Sequence, residues 1–296
     1  MQAFDYRAPG TVAEAVGILA EYGDRARPLA GGTDVLVQLR AGRFDHVQML
    51  VDVKKIPELN QLSYDLESGL AIGAAVPAYR IAADGSVQAL YPGLIDGVAI
   101  IGGTAIQGRA TIGGNLANAS PSGDSIPALI VHSAICRIVG ARGERRVPVE
   151  AFCSGPGRNV LQPGEVLVSV HLPPPPPHFG ARYLRFIPRN EMDIAVVGVG
   201  ASVTLSADGS TIVDARIALG AVGPTPIVAT EAARVLVGQR PTPEAIDHAK
   251  RLAREAARPI TDMRGTAELR RHLVGVLTGR ALAGAIERAN EGANHA

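Results

Sequence analysis

Tryptophan is absent from the 296-residue chain, and aromatic residues make up only 4% of it. So few flat side chains leave little on which bases or sugar rings could stack. A large planar ligand would have to be held mainly by backbone and aliphatic groups. Cysteine occurs only as Cys136 and Cys153, with no CxxC pair and no histidine at metal-ligand spacing, which argues against a zinc site or a disulfide framework. The two read as reduced thiols of a cytoplasmic protein. An excess of one charge is also lacking. Twenty-nine basic against 28 acidic side chains leave +1, too little to hold a phosphate backbone by counterion release, so nucleic acid is not the expected partner. No uninterrupted apolar run is long enough to span a bilayer, and the N-terminus, Met1 to Tyr6, has no basic segment leading into an apolar one, so neither a membrane span nor a secretion signal is expected.

Glycine and proline are plentiful, at 34 and 21 residues, and must be placed in turns. The strongest punctuation is the run Pro173 to Pro177, which forbids helix and central strand and predicts an extended connector. A domain boundary is expected there, dividing residues 1–176, with subdomains of about 1–56 and 57–176, from residues 177–290. Before it, short apolar runs (Met49 to Val53, Leu70 to Gly73) alternate with helical patterns such as Val12 to Tyr22, for which Thr11 and Glu14 form a capping box. After it, Ala181 to Ile187, Ala195 to Leu205 and Thr211 to Leu219 read as three strands, the latter two joined through Asp208-Gly209. Helices are predicted over Val228 to Val237, over Pro243 to Ala256 behind a Thr242 cap, and over Thr266 to Arg288. The last would carry Leu269, Leu273, Val276, Leu277 and Ala281 on one face, and the tail from Asn290 should fray. The fold class is α+β, with a small antiparallel sheet packed with helices in the second domain.

Two glycine turns suggest chemistry. In Pro28-Leu29-Ala30-Gly31-Gly32-Thr33-Asp34-Val35, an apolar run meets a double glycine and opens a helix. Glycines there let backbone N–H groups face an anion unobstructed. The second turn, Thr111-Ile112-Gly113-Gly114-Asn115-Leu116, lies in a stretch from Gly102 to Gly123 rich in small donors and acceptors, Asn118 among them, between helical patterns at Leu94 to Ile101 and Ser125 to His132. Such a stretch reads as the lining of a site. Neither turn fits GxGxxG, and Gly103 to Gly108 followed by Arg109-Ala110 lacks the lysine and hydroxyl of a P-loop. The seven histidines, His46, His132, His171, His178, His248, His272 and His295, form no i, i+4 pair and are expected to pack or face solvent.

Together with Ala119-Ser120-Pro121-Ser122-Gly123-Asp124, these turns resemble the FAD-binding medium subunit of the molybdenum hydroxylases, the group of aerobic carbon monoxide dehydrogenase and xanthine dehydrogenase. Gly164 to Pro173, Arg189 to Ala195 and Arg264 to Arg271 resemble further family segments, though the turn holds Asn190 and Met192 where relatives often carry Arg and Asp. The resemblance implies a PCMH-type fold, two α/β subdomains clasping FAD and a carbon monoxide dehydrogenase flavoprotein-like C-terminal domain closing over it. It implies that Ala30 to Val35 wrap the diphosphate and approach the isoalloxazine ring by backbone atoms, with Pro28, Leu29, Gly114 and Asn118 also among the cofactor-binding residues. Thr111 and Asn115 would bind phosphate and ribitol oxygens, and Asp124 cofactor hydroxyls. Leu167 would lie on the adenine side, Arg185 near the pyrimidine edge, and Ile194 beside the ring, while Ile101 replaces an aromatic residue of some relatives.

With no Cys, His or Tyr in either glycine turn, the FAD should be noncovalent. No nucleophile elbow, metal constellation or catalytic carboxylate pair is visible, so the chemistry would belong to the cofactor. The resemblance further implies electron transfer from a small subunit carrying two two-iron two-sulfur clusters, with molybdopterin on a large subunit, in a dimer of heterotrimers. The alternative is a free-standing FAD-dependent oxidoreductase acting directly on a small substrate.

Overall fold

The computed structural model describes residues 3–189 and 192–293, and the side chains of 292 and 293 are not described. Three parallel strands, β1 (Asp5–Arg7), β2 (Ala26–Leu29) and β3 (Met49–Asp52), form a first sheet in the order β1-β3-β2, with α1 (Val12–Tyr22) and α2 (Val35–Arg40) as crossovers. Thr11 accepts from the Glu14 N–H at 3.2 Å, as the capping box predicts, while the Glu14 carboxylate reaches one residue further, to the N–H of Gly10.

The chain continues through α3 (Pro57–Asn60), β4 (Leu62–Asp65), β5 (Gly69–Gly73) and five short helices: α4 (Ala78–Ala83), α5 (Gly85–Leu90), α6 (Pro92–Val98), α7 (Thr104–Gln107) and α8 (Ile112–Asn118). The buried α9 (Ser125–Val131) leads into β6 (Ile135–Gly140) and β7 (Gly143–Pro148). A two-stranded ribbon, β8 (Cys153–Gly155) and β9 (Arg158–Asn159), precedes β10 (Val166–Leu172), which completes an antiparallel sheet in the order β4-β5-β10-β6-β7. Both cysteines are free and buried, and burial pushes the thiols of Cys136 and Cys153 up to about 12 and about 11, leaving no reactive thiolate at neutral pH.

Pro173 to Pro176 carry no regular structure and hand the chain to β11 (Phe179–Phe186), β12 (Val197–Leu205), β13 (Ile212–Gly220) and β14 (Ile227–Val228). The three strands expected here are present, with β14 added at the edge of the sheet. Because Ile227 and Val228 pair with β13, the helix expected from Val228 begins later, as α10 (Thr230–Arg234). α11 (Pro243–Ala256) starts behind Thr242 as predicted. α12 (Ala267–Ala293) is longer than predicted, and the tail expected to fray from Asn290 is helical through Ala293; the rest of it, His295 included, lies outside the described residues.

The buried face of α12 keeps Leu277 and Ala281 of the five residues expected on it, with Leu273 half-buried beside them, but is turned away from Leu269 and Val276. Val274, Leu277, Ala281, Leu282, Ala285 and Ala289 are buried, whereas Leu269 is exposed and Val276 only half-buried. Small residues set this face, since a Cβ on Gly180 of β11 would lie 2.0 Å from the Ala285 carbonyl oxygen. The C-terminal sheet is covered on both sides. On the other face, Ser202 of β12 donates to the Val131 carbonyl at 2.9 Å, and Gly200 abuts the Pro127 backbone of α9. Burial from both sides explains why β12 reads as a continuous apolar run rather than an alternation.

His132, just past α9, packs its ring between Tyr91 and Phe179, with centroids at 5.8 and 5.5 Å, and donates from Nδ1 to the Ala128 carbonyl at 2.8 Å. Its Nε2 is buried without a partner, and burial pushes its pKa down to about 4 from 6.5. The ring is then neutral in the fold while charged in the unfolded chain. This contribution to stability is complete above about pH 6.5 and is lost as the pH falls toward about 4. Urea unfolding across that interval should show a loss of about 3 kcal/mol assignable to this ring, and His132→Gln should flatten the slope. An unchanged slope in the variant would refute the assignment.

Candidate functional site

The two glycine turns meet at the carboxyl end of the parallel sheet, the edge where open α/β sheets receive ligands. In the first, β2 ends at Leu29, and Gly32 takes φ +83 before α2. A Cβ on Gly31 would lie 2.0 Å from the backbone oxygen of Arg109, so only glycine lets this turn approach the second segment. Arg109 Nε donates back to the Gly31 carbonyl at 3.2 Å, and the Gln38 side-chain amide of α2 donates to the Asn118 side-chain oxygen Oδ1 of α8 at 2.8 Å. Among the described residues, no oxygen accepts from the backbone N–H groups of Gly31, Gly32, Thr33 or Asp34. Asp34 stands at the N-cap position of α2 without forming a side-chain cap, and desolvation raises its pKa.

In the second turn, the buried Thr111 caps α8, its oxygen accepting from the Gly114 N–H at 2.8 Å and leaving its O–H proton to donate elsewhere. A Cβ on Gly113 would sit 2.4 Å from the Ala74 carbonyl oxygen, which fixes α8 against the end of β5. The Asn115 side-chain oxygen accepts from Ser125 at 2.7 Å, linking α8 to α9 and leaving the Asn115 amide N–H groups to donate.

Asp124 precedes α9 but does not cap it. Its carboxylate accepts from Tyr183 at 2.8 Å and from Arg185 at 2.5 Å, both on β11, with the Asp124 and Arg185 side chains about nine-tenths withdrawn from solvent. Burial outweighs the neighbouring guanidinium and hydroxyl and raises the Asp124 pKa, and it raises that of Tyr183 well above its usual value. A second, half-buried carboxylate ties the two parts of the chain together, as Asp96 of α6 accepts from Arg288 of α12 at 2.7 and 3.0 Å.

Comparison with known proteins decides the family. Residues 2–175 match the family described as the FAD binding domain in molybdopterin dehydrogenase, and residues 182–285 match the CO dehydrogenase flavoprotein C-terminal domain. The chain belongs to the FAD-binding subunits of the molybdopterin dehydrogenases. Over 96% of both chains it is 31% identical to the xanthine dehydrogenase FAD-binding subunit of Escherichia coli O157:H7. It is 34% identical to the carbon monoxide dehydrogenase medium chain of Afipia carboxidovorans, covering 97% of this chain and 98% of that one. A carbon monoxide dehydrogenase structure from Hydrogenophaga pseudoflava superposes with a TM-score of 0.92 at 32% identity, covering 97% of this chain and 98% of that one.

For an FAD-binding subunit, the first turn offers what a diphosphate needs, consecutive backbone N–H groups without protein acceptors where a side chain would intrude. Pro28, Leu29, Ala30 and Val35 flank those groups on β2, the turn and α2. Of the other predicted residues, Leu167 is buried in the core just before a β-bulge in β10, Ile101 is half-buried and Ile194 is 49% exposed. Asn190 lies outside the described residues, and Met192 is exposed. Among the described residues, no cluster of three or more His, Cys, Asp or Glu side chains could hold a metal, and no helix is long and apolar enough to cross a membrane. Sequence reasoning missed Tyr183 and Arg109. Tyr183 could have been found from its i, i+2 spacing to Arg185, which puts both on one face of a strand.

Proposed function

We propose that the chain is the electron-transfer subunit of a three-component molybdenum hydroxylase, taking electrons from two-iron two-sulfur clusters on a small subunit and passing them to an external acceptor. The observation that carries this reading is the glycine clasp, whose unclaimed N–H groups suit a dinucleotide diphosphate. Bound FAD supplies the chemistry, accepting electrons singly and releasing them in pairs. The protein's part is to bind and orient it.

Gly31 to Asp34 donate backbone N–H groups to diphosphate oxygens, while Thr111 and Asn115 donate to phosphate and ribitol oxygens. Gly114 and Asn118 shape that wall. Asp124 spends one lone pair on Tyr183 and another on Arg185, and its remaining acceptor sites can take cofactor hydroxyls. Its salt bridge also fixes the Arg185 guanidinium for the pyrimidine edge of the flavin. Leu167, Ile101 and Ile194 supply apolar walls.

Two cysteines are too few for the thiolates of even one such iron–sulfur cluster, which supports clusters on a partner chain. The relatives' descriptions as a medium chain and an FAD-binding subunit support a multi-subunit complex, proposed here as a dimer of heterotrimers in the cytoplasm. The division into residues 1–176 and 177–290 follows the proline run. Purified with its partners, the complex should show flavin absorbance bleached by substrate, and acid precipitation should release the flavin as expected of noncovalent FAD. Bleaching of the isolated chain's flavin by substrate would instead make it a free-standing oxidoreductase, and a chain that holds no FAD would sink both.

A further inference from the structure

The clasp contains a cation that the glycine motifs do not account for. Arg109 lies between α7 and α8, exposed, with its Nε on the Gly31 carbonyl at 3.2 Å. Among the described residues its guanidinium enters no ion pair, and no acceptor engages its two terminal nitrogens. Gly31 itself follows the end of β2, and at the end of β3 Asp52 accepts from the Tyr6 phenol of β1. The guanidinium therefore stands at the carboxyl end of the parallel sheet, beside the unclaimed N–H groups.

The charge balance there gives this cation a task. Asp34 and Asp52 both lie at this end, and only Asp52 has a cation of its own, in Lys54 at 2.7 Å. Arg7, at the end of β1, borders a separate hollow against α1 with Glu14 and Glu21. A dianionic ligand entering the clasp thus meets acidic side chains and backbone dipoles, with Arg109 the unengaged cation at the contact between the two turns. A guanidinium anchored through Nε presents a planar pair of terminal nitrogens that matches two phosphate oxygens.

We propose that Arg109 is the cationic clamp of the site, pairing through its terminal nitrogens with the diphosphate of the bound dinucleotide. The proposal rests on the FAD reading above and adds to it a side-chain charge outside both glycine turns.

The test titrates the flavin-stripped full chain with FAD and with riboflavin, which lacks phosphate, at low and high salt. Wild type is compared with Arg109→Gln and Arg109→Lys, each first checked for unchanged thermal unfolding. Arg109→Gln should raise the Kd for FAD about tenfold at low salt, or about 1.4 kcal/mol, with the gap narrowing at high salt as the charge is screened. Arg109→Lys should recover most of the loss, and riboflavin should bind all three proteins alike. The proposal is overturned if Arg109→Gln matches wild type for FAD at both salts. It is equally overturned if FAD and riboflavin weaken in the same proportion, as the loss of a mere prop on the Gly31 carbonyl would cause. Wild-type protein that binds no FAD refutes the parent reading instead.

Discussion

Arg185→Ala is expected to destabilise the chain by about 3–5 kcal/mol, the usual cost of removing one partner from a buried ion pair. The Asp124 and Arg185 side chains are only 10% and 9% exposed, and their 2.5 Å contact joins the start of α9 to β11. Removing the guanidinium leaves a buried carboxylate with Tyr183 as its remaining donor. The sign of the pH dependence follows. Burial already raises the Asp124 pKa in the fold, and loss of Arg185 raises it further. A raised carboxylate pKa means that the folded chain binds the proton more tightly than the unfolded one, so the deficit of the variant is largest at neutral pH and shrinks as Asp124 is protonated. Arg185→Ala combined with Asp124→Asn should therefore cost less than the sum of the two single changes. Denaturant unfolding across pH measures all three, and a loss under about 1 kcal/mol for Arg185→Ala would show that the pair contributes nothing net.

The same pair shows where the sequence stops being legible. α1 and α11 could be read to the residue because each begins behind a threonine whose side chain caps it. The three long strands of the C-terminal sheet could be read from apolar runs bounded by turn residues. β14 and α10 could not, because two residues of edge pairing decide whether Val228 extends a strand or opens a helix. The face of α12 is legible only in part, at Leu277 and Ala281, because close packing on β11 rewards alanines such as Ala285 and Ala289 that a pattern of large apolar side chains does not reveal. Asp124 and Arg185 each read as a candidate cofactor contact, but their bond to one another spans 61 positions, and nothing local announces it. Arg109 was equally silent, an arginine in a glycine-rich stretch whose significance depends on a turn 78 residues earlier.

Gly31→Ala is expected to have the largest effect on cofactor binding, and a neighbouring glycine supplies the control. The new methyl carbon would lie 2.0 Å from the Arg109 carbonyl oxygen and 2.7 Å from its carbon, and both are backbone atoms that cannot swing aside. The two turns must separate, which breaks the Arg109 to Gly31 hydrogen bond and strains the nearby Gln38 to Asn118 bond. Overpacking of this kind costs about 1–3 kcal/mol, and the N–H groups from Gly31 to Asp34 lose their place opposite the second turn. The affinity for FAD should fall by about 100-fold, more than the loss of any single charge, because the change separates the donors of both turns together. Gly108 lies one residue before Arg109, at φ −66, and a Cβ there meets nothing within 4 Å. Gly108→Ala should leave FAD binding intact and stabilise the chain slightly by restricting its unfolded state. Flavin titration and calorimetry on the two variants separate close approach from glycine content in general, and equal FAD affinity in both would show that the turns do not act as one clasp.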